Sequence, residues 1–531
     1  MNEKVIVTNL GALKAKYGTA GVKKINTAVK ALIAADKARG LRARVIALDS
    51  AAAMKAVKGR KVKDAGNPRQ NKEAIDAIYR KLVPDYLVLL GAVDVVPHQD
   101  LRNPVFDGDN DRDEFAFGDL PYACEAPYSQ EPKDFVGPTR VIGRIPDLVG
   151  ASEPGYLLGL LKTAAEWRAR SAEDYADYFA VSAKVWKKST LLSVQKLFGL
   201  SSDLHLSPKE GPSWGTRLLA RRVHFINCHG GSNDPQFYGQ IGKDDDAKYP
   251  VSHLASYLAG RISEGTVAAT ECCYGAELYD PVLATGQAGI CSTYLAGKAY
   301  GYFGSSTIAY GPEEGNSAAD LICQYFLRRV KAGASLGRAT LEARLEFAGG
   351  AAELDPVDIK TLAQFNLLGD PSITPVATSK PHTAVAIPKG FAALARGGLK
   401  QVASGAVARR ERRRQLFLRG ERIGATQPVA ARIAQPKLAG QLLGDLRKIA
   451  AEFRLKSPNF LSYRIEAPVA ARKLIGLAAK AGPRTQLAPA SAFHVVMGGR
   501  PTADAPVIQI VALVAKESAG KIVSYREMRS R

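Results

Sequence analysis

The run DYLVLLGAVDVVP, residues 85–97, is apolar along nearly its whole length and too short for an ordinary helix. It reads as a buried strand, and it has company. KVIVTNL and RARVIALD are strand-like runs separated by the helical pattern GVKKINTAVKALIAADKARG, and TRVIGRIPD follows at 139–147 before a helix expected over 155–171. The alternation resumes with RRVHFINCHGG, EGTVAATECCYG, AGICSTYL and AYGYFGSSTI, all read as strands. A largely helical stretch over 317–349, broken by a turn at KAGASLG, and the run NLLGDPSITPV close this part. Apolar strands alternating with helices predict α/β architecture, a parallel sheet with helices on both faces.

With 531 residues the chain exceeds one ordinary core. The expected division is an N-terminal α/β subdomain over 1–172, a second α/β subdomain over 173–376, and a linker with a small basic α+β domain over 377–531. In the last part, helical patterns near 438–455 and 468–482 precede the strand-like VIQIVALVAK and KIVSYREM. The charge is lopsided: 28 Lys and Arg face 8 Asp and Glu from Lys380 to Arg531, so nearly all of the net +22 lies there. An acidic partner, nucleic acid or protein, is the expectation for that region. No apolar run is long enough to span a membrane, and MNEKVIVTNLGALKAKYG lacks the marks of a secretory signal, so a cytoplasmic location is expected. Six cysteines are too few for a disulfide framework and are expected as free thiols.

Functional groups of a parallel sheet gather beyond the C-terminal ends of its strands. Two strand ends carry nucleophile chemistry: VHFIN runs into Cys228-His229-Gly230-Gly231, and TVAATE runs into Cys272-Cys273-Tyr274-Gly275. On adjacent strands, His229 and one thiol would face a common cleft, an imidazole beside a cysteine nucleophile. The backbone N–H groups of Gly230 and of the thiol residue would then be placed to hold an oxyanion. Neighbouring side chains at a strand end point to opposite faces, so only one of the two thiols can face His229. Zinc binding by Cys228, His229, Cys272 and Cys273 is disfavoured, because adjacent side chains diverge and no C-x-x-C spacing is present. The one G-x-S-x-G match, GASLG at 333–337, lacks a preceding strand and reads as a turn between helices.

An apolar strand ending in His-Gly, followed by an apolar strand ending in x-x-Cys, resembles the caspase–gingipain clan of cysteine peptidases. YLVLLGAVDVVP, TRVIGRIPD and NLLGDPSI resemble its gingipain branch, and the resemblance spans roughly residues 1–376 in order. It implies two caspase/gingipain-like parallel-sheet subdomains and a thiol protease with Cys273 as nucleophile and His229 as acid and base. Gly230 and Cys273 would supply the oxyanion donors, and Cys272 would fill a small-residue slot. It also implies Glu271 at the wall of the first substrate pocket, with Tyr310 and Asp134 as further substrate contacts and a lean toward Arg or Lys. No cofactor is required; calcium is an optional ligand, with Asp107, Asp109 and Asp111 of DGDNDRDEF as the expected donors and a solvated acidic loop as the plain alternative. Protein or peptide substrates follow, and the expected cytoplasmic location, rather than any motif, implies restraint by a partner, a ligand or processing. The basic run RRERRR, 409–414, reads as a phosphate contact, a mobile linker or a self-cleavage site. The competing class is a non-catalytic caspase-like scaffold whose basic domain binds nucleic acid or an acidic protein.

Overall fold

The computed structural model describes residues 2–199, 202–242, 247–378, 405–434, 440–466, 491–499 and 509–531, with 436, 438 and 507. The expected helix near 468–482 and most of the linker lie outside these residues.

A ten-stranded sheet organises the chain from Asn2 to Gly369. One half holds, from the edge inward, Leu41–Ala47, Asn2–Thr8, Tyr86–Leu90, Ile142–Ile145 and Phe365–Gly369, all parallel. The other half continues with Gly301–Ser305, Val267–Thr270, Val223–Asn227, Tyr178–Ala183 and Leu204–Ser207, again parallel among themselves. The halves meet where Phe365–Gly369 pairs antiparallel with Gly301–Ser305. The protein is therefore α/β with a mostly parallel sheet that runs unbroken through both expected subdomains.

The strands between the two edges hold almost entirely buried residues, such as Leu87 to Leu90 and Val267 to Thr270. Sheets covered on both faces have this character. Two expectations change. AGICSTYL is not a strand: Ile290–Ala296 is helical, with Ile290, Cys291, Tyr294 and Leu295 buried at helical spacing. A short apolar run does not by itself distinguish a buried strand from a buried helix. Tyr178–Ala183, YFAVSA, is a central strand without a counterpart among the expected ones, because its small residues dilute the apolar signal. The helix expected over 155–171 spans Gly155–Glu166.

Beneath the first half, a buried ionic cluster fixes the loops. Arg144 donates from Nε to Asp119 at 2.9 Å and from Nη1 to the carbonyls of Gly91 and Val96, and His98 Nδ1 lies 2.9 Å from Asp119. Burial alone would raise the Asp119 carboxyl, but the charges of Arg144 and His98 hold it well below the usual carboxylate range. Asp119→Ala leaves the guanidinium buried and uncompensated, so a loss of about 3–5 kcal/mol is expected in urea unfolding. A loss below ~1 kcal/mol would mean that water replaces the carboxylate.

Residues after 405 add an antiparallel sheet, ordered Tyr310–Gly311, Lys521–Ser530, Ile510–Ser518, Ser491–Gly499, Asn459–Glu466 and Val429–Arg432. Helix Gly440–Glu452 covers it, packing Leu442, Leu446 and Ala450 on Val496, Val511 and Leu513. The arginine run is not a loose linker. It lies within helix Gly405–Thr426, which buries Leu416 and Ile423, and Arg413 sits 3.6 Å from Asp85 while donating to the Val83 carbonyl. No helix among the described residues is long and apolar enough to cross a membrane.

Candidate active site

Strands Val223–Asn227 and Val267–Thr270 are direct neighbours, so their C-terminal ends open side by side. The chain leaving the first forms the two-residue strand His229–Gly230, paired antiparallel with Gln236–Tyr238. The chain leaving the second places Cys272 and Cys273 on opposite faces of the sheet. Cys272 joins the core of one face with Cys228, Ile226 and Tyr302, whereas Cys273 joins that of the other. Gly230 packs directly on Cys273, and a Cβ there would meet the Cys273 carbonyl oxygen at 1.9 Å.

His229 is fully buried. Its Nε2 lies 2.7 Å from Gln240 Oε1, and Gln240 Nε2 donates to the Gly242 carbonyl, which fixes the amide orientation. Because that oxygen only accepts, Nε2 carries the proton and Nδ1 presents a lone pair. Nδ1 is buried without a partner among the described residues. Burial lowers the ring to about 3, the Gln240 bond opposes this, and the charges of Arg531 and Arg529 add to the lowering. The imidazole is neutral, in the form that accepts a proton. Trp186 packs against it at 4.2 Å between ring centroids, and Tyr249 meets it edge-on at 5.1 Å.

The Cys273 sulfur accepts the Ala309 N–H at 3.3 Å. Burial pushes the thiol up to about 12, against the pull of that N–H and of Lys360. As it stands, the sulfur is protonated.

Two backbone N–H groups converge on a single oxygen beside this sulfur. Cys273 N donates at 3.1 Å and Gly230 N at 3.4 Å to the carbonyl oxygen of Arg531, delivered by strand Lys521–Ser530. The Arg531 N–H donates in turn to the Ala309 carbonyl at 3.0 Å. Its guanidinium enters a closed pocket, where Nη2 donates to Asp320 Oδ1 at 3.2 Å, Ser189 Oγ at 3.3 Å and the Pro312 carbonyl at 2.8 Å. The face of Trp186 lies 4.4 Å from the guanidinium carbon.

Glu271 is fully buried in the same region, where burial and then the Asp320 charge hold its carboxyl well above the carboxylate range. Its protonated form is favoured, and the ion pair to Arg531 is made by Asp320. Tyr310 lies under the cleft wall rather than in it, buried and donating to Asp111 Oδ2 at 2.8 Å. Asp134 is not brought to the cleft; it borders a surface hollow with Val136, Gly424 and Glu466.

The acidic loop has a different part. Asp107 accepts from the backbone of Asn110 and Asp111, Asp109 accepts from Asn459, and Asp111 pairs with Lys360. Among the described residues no group of three or more His, Cys, Asp or Glu side chains converges as metal ligands would. Asp113, four residues past Asp109, accepts from Tyr274 Oη at 2.7 Å and Ile308 N at 2.8 Å. It thereby braces Tyr274, whose φ of 54° lies in the left-handed region. The loop supports the turn that carries Cys273.

Trp186, Ser189, Gln240 and Asp320 were not legible as site residues in the sequence. Trp186 and Ser189 follow the strand YFAVSA, so recognising that strand would have drawn attention to its C-terminal end. Asp320 shows in sequence only as the third residue of a Ser317 capping box.

Among solved structures, one titled "Structure of Protease" is similar to this chain, with a TM-score of 0.46 and 11% identity over 98% of this chain and 97% of that one. No protein-family model matches the chain, and no curated protein matches it.

Proposed function

We propose that the protein is a cysteine endopeptidase of the caspase–gingipain type, with Cys273 as nucleophile and His229 as general base and acid. The observation that carries this reading is the convergence of the Gly230 and Cys273 N–H groups on one carbonyl oxygen next to the Cys273 thiol. In acyl transfer a tetrahedral oxyanion forms at such a position, and fixed N–H donors stabilise its charge. The sulfur, having lost its proton to His229 Nδ1, attacks the peptide carbonyl and forms an acyl thioester. The departing amine takes that proton from the imidazole. Water then attacks the thioester, His229 accepts its proton, and the thiol is restored as the acid product leaves. Gln240 positions the ring by holding the proton on Nε2.

Substrates of this reading are proteins or peptides with a basic residue at the scissile bond, and activity is restrained. The protonated Cys273 of the filled cleft supports the restraint. The six cysteines, all unpaired and buried, fit a reducing compartment such as the cytoplasm.

The test is hydrolysis of a fluorogenic peptide panel with Arg, Lys, Asp and Asn before the reporter, with and without calcium, by the full chain and by its Arg531→Ala variant. Cleavage of the Arg or Lys members is expected. Absence of cleavage by both chains under every condition would overturn the peptidase reading in favour of a scaffold.

A further inference from the structure

We propose that the pocket around the Arg531 side chain is a subsite for a substrate arginine, with Asp320 as its specificity-determining carboxylate, and that residues 529–531 fill the cleft as the chain's own substrate-like strand. The inference rests on the peptidase reading for the direction in which a peptide lies. The pocket itself stands on geometry alone.

Three features make residues 529–531 resemble a bound peptide rather than ordinary packing. Their backbone pairs antiparallel with Tyr310–Gly311, placing Ser530 opposite Tyr310 and Arg529 opposite Gly311. An extended peptide added to a strand by main-chain bonds is recognised whatever its sequence, and side-chain pockets then select among peptides. The Arg531 carbonyl oxygen takes both converging N–H groups. The Arg531 side chain is fully buried, which for a guanidinium requires a built receptor.

That receptor offers a guanidinium a paired carboxylate and an aromatic face. Asp320 is fully buried at the start of helix Ala318–Lys331, anchored by the Ser189 hydroxyl at 3.0 Å and the Ser317 N–H. Asp320 is the carboxylate that pairs with the guanidinium, at 3.2 Å. The Trp186 ring gives the planar cation a face to stack on, which an ammonium would use less well. Gly311 leaves the passage open, because a Cβ there would lie 2.3 Å from Arg531 Nη2 and 2.4 Å from Nε. All of the pocket's acceptors meet Nη2, while Nε and Nη1 are buried without a hydrogen-bond partner among the described residues, so the preference for arginine over lysine rests on the Trp186 face.

Self-occupancy follows from the same contacts. The strand that ends in Arg531 is tied to Ile510–Ser518 along its length, so its last residues are held at high effective concentration over the cleft. A peptide in solution must displace them.

The test uses the full chain carrying Cys273→Ala, so that binding is read without turnover, and a fluorescent hexapeptide of sequence Arg-Glu-Met-Arg-Ser-Arg with a free carboxylate. Anisotropy should show at least tenfold tighter binding when Arg531→Ala is added, and Arg531→Gln should behave alike if either variant folds poorly. Adding Asp320→Asn to the opened chain should weaken binding by roughly 100-fold, as should ending the peptide in alanine. Ending it in lysine should cost about tenfold. Equal binding of the arginine- and alanine-ended peptides overturns the pocket assignment, and equal binding by the chains with and without Arg531 overturns self-occupancy. An opened chain that binds the arginine peptide, while Cys273-bearing chains never hydrolyse one, sinks the peptidase reading and leaves the pocket standing.

Discussion

Cys273→Ala and His229→Ala are each expected to lower kcat/KM on the peptide that the panel selects by at least ~1,000-fold, while Cys272→Ala stays within a few-fold of its parent. The two adjacent thiols differ in surroundings and not in chemistry. Cys273 meets the Ala309 N–H and borders the carbonyl held by Gly230, whereas Cys272 faces Ile226 and Tyr302 in the opposite core. In the proposed mechanism, loss of the nucleophile removes the acyl-enzyme route, and loss of the imidazole removes the base that would take the thiol proton. Loss of the Cys272 sulfur leaves a small apolar void, costing on the order of 1 kcal/mol of stability and none of the chemistry. The decisive measurement is steady-state hydrolysis by the three variants together with their urea midpoints. A Cys272→Ala chain that is folded and inactive would place the nucleophile one residue earlier.

The second large effect is expected at Gly230. An alanine Cβ would lie 1.9 Å from the Cys273 carbonyl oxygen and 3.1 Å from its carbon, both backbone atoms that cannot rotate away. The His229–Gly230 strand and the Cys273 turn must then move apart. That separates the two oxyanion donors and shifts the imidazole with them. Activity should fall at least ~100-fold, the scale of a lost oxyanion donor. Overpacking should also cost about 1–3 kcal/mol of stability. Gly231, whose Cβ would meet only Asp234 side-chain atoms at 3.2 Å or more, serves as the comparison, and Gly231→Ala should be far milder on both readouts. Equal effects at 230 and 231 would argue against the oxyanion role of the Gly230 N–H.

The placement of His229 and Cys273 just beyond neighbouring strand ends was legible in sequence because each follows an apolar strand, where a parallel sheet exposes its chemistry. The face that each thiol takes was legible too, through the alternation of a strand. Asp320 and Trp186 were not, because their part in the pocket depends on a helix and a loop that only the tertiary arrangement brings together. The carboxylate beside the basic side chain was expected at Glu271. Local order could not reveal that burial and the Asp320 charge raise the Glu271 carboxyl, or that Asp320 makes the ion pair to the buried Arg531. The partners of the acidic loop were not legible either: its alternating aspartates look like cation ligands in one dimension, and in space they reach toward Asn459, Lys360 and Tyr274. Nothing in KIVSYREMRSR signals a strand destined for a cleft, since backbone pairing carries no side-chain signature.

The pairing of Tyr310–Gly311 with the strand that leads to Arg531 joins segments made at very different moments of synthesis. Tyr310 emerges from a ribosome more than 200 residues before Arg531, an interval on the order of tens of seconds at ordinary elongation rates. Throughout that interval the sheet edge at Tyr310 has no partner, and the groove lies open to any extended segment nearby. A nascent chain of this protein is thus exposed while growing, until the strand that fills the groove has been made.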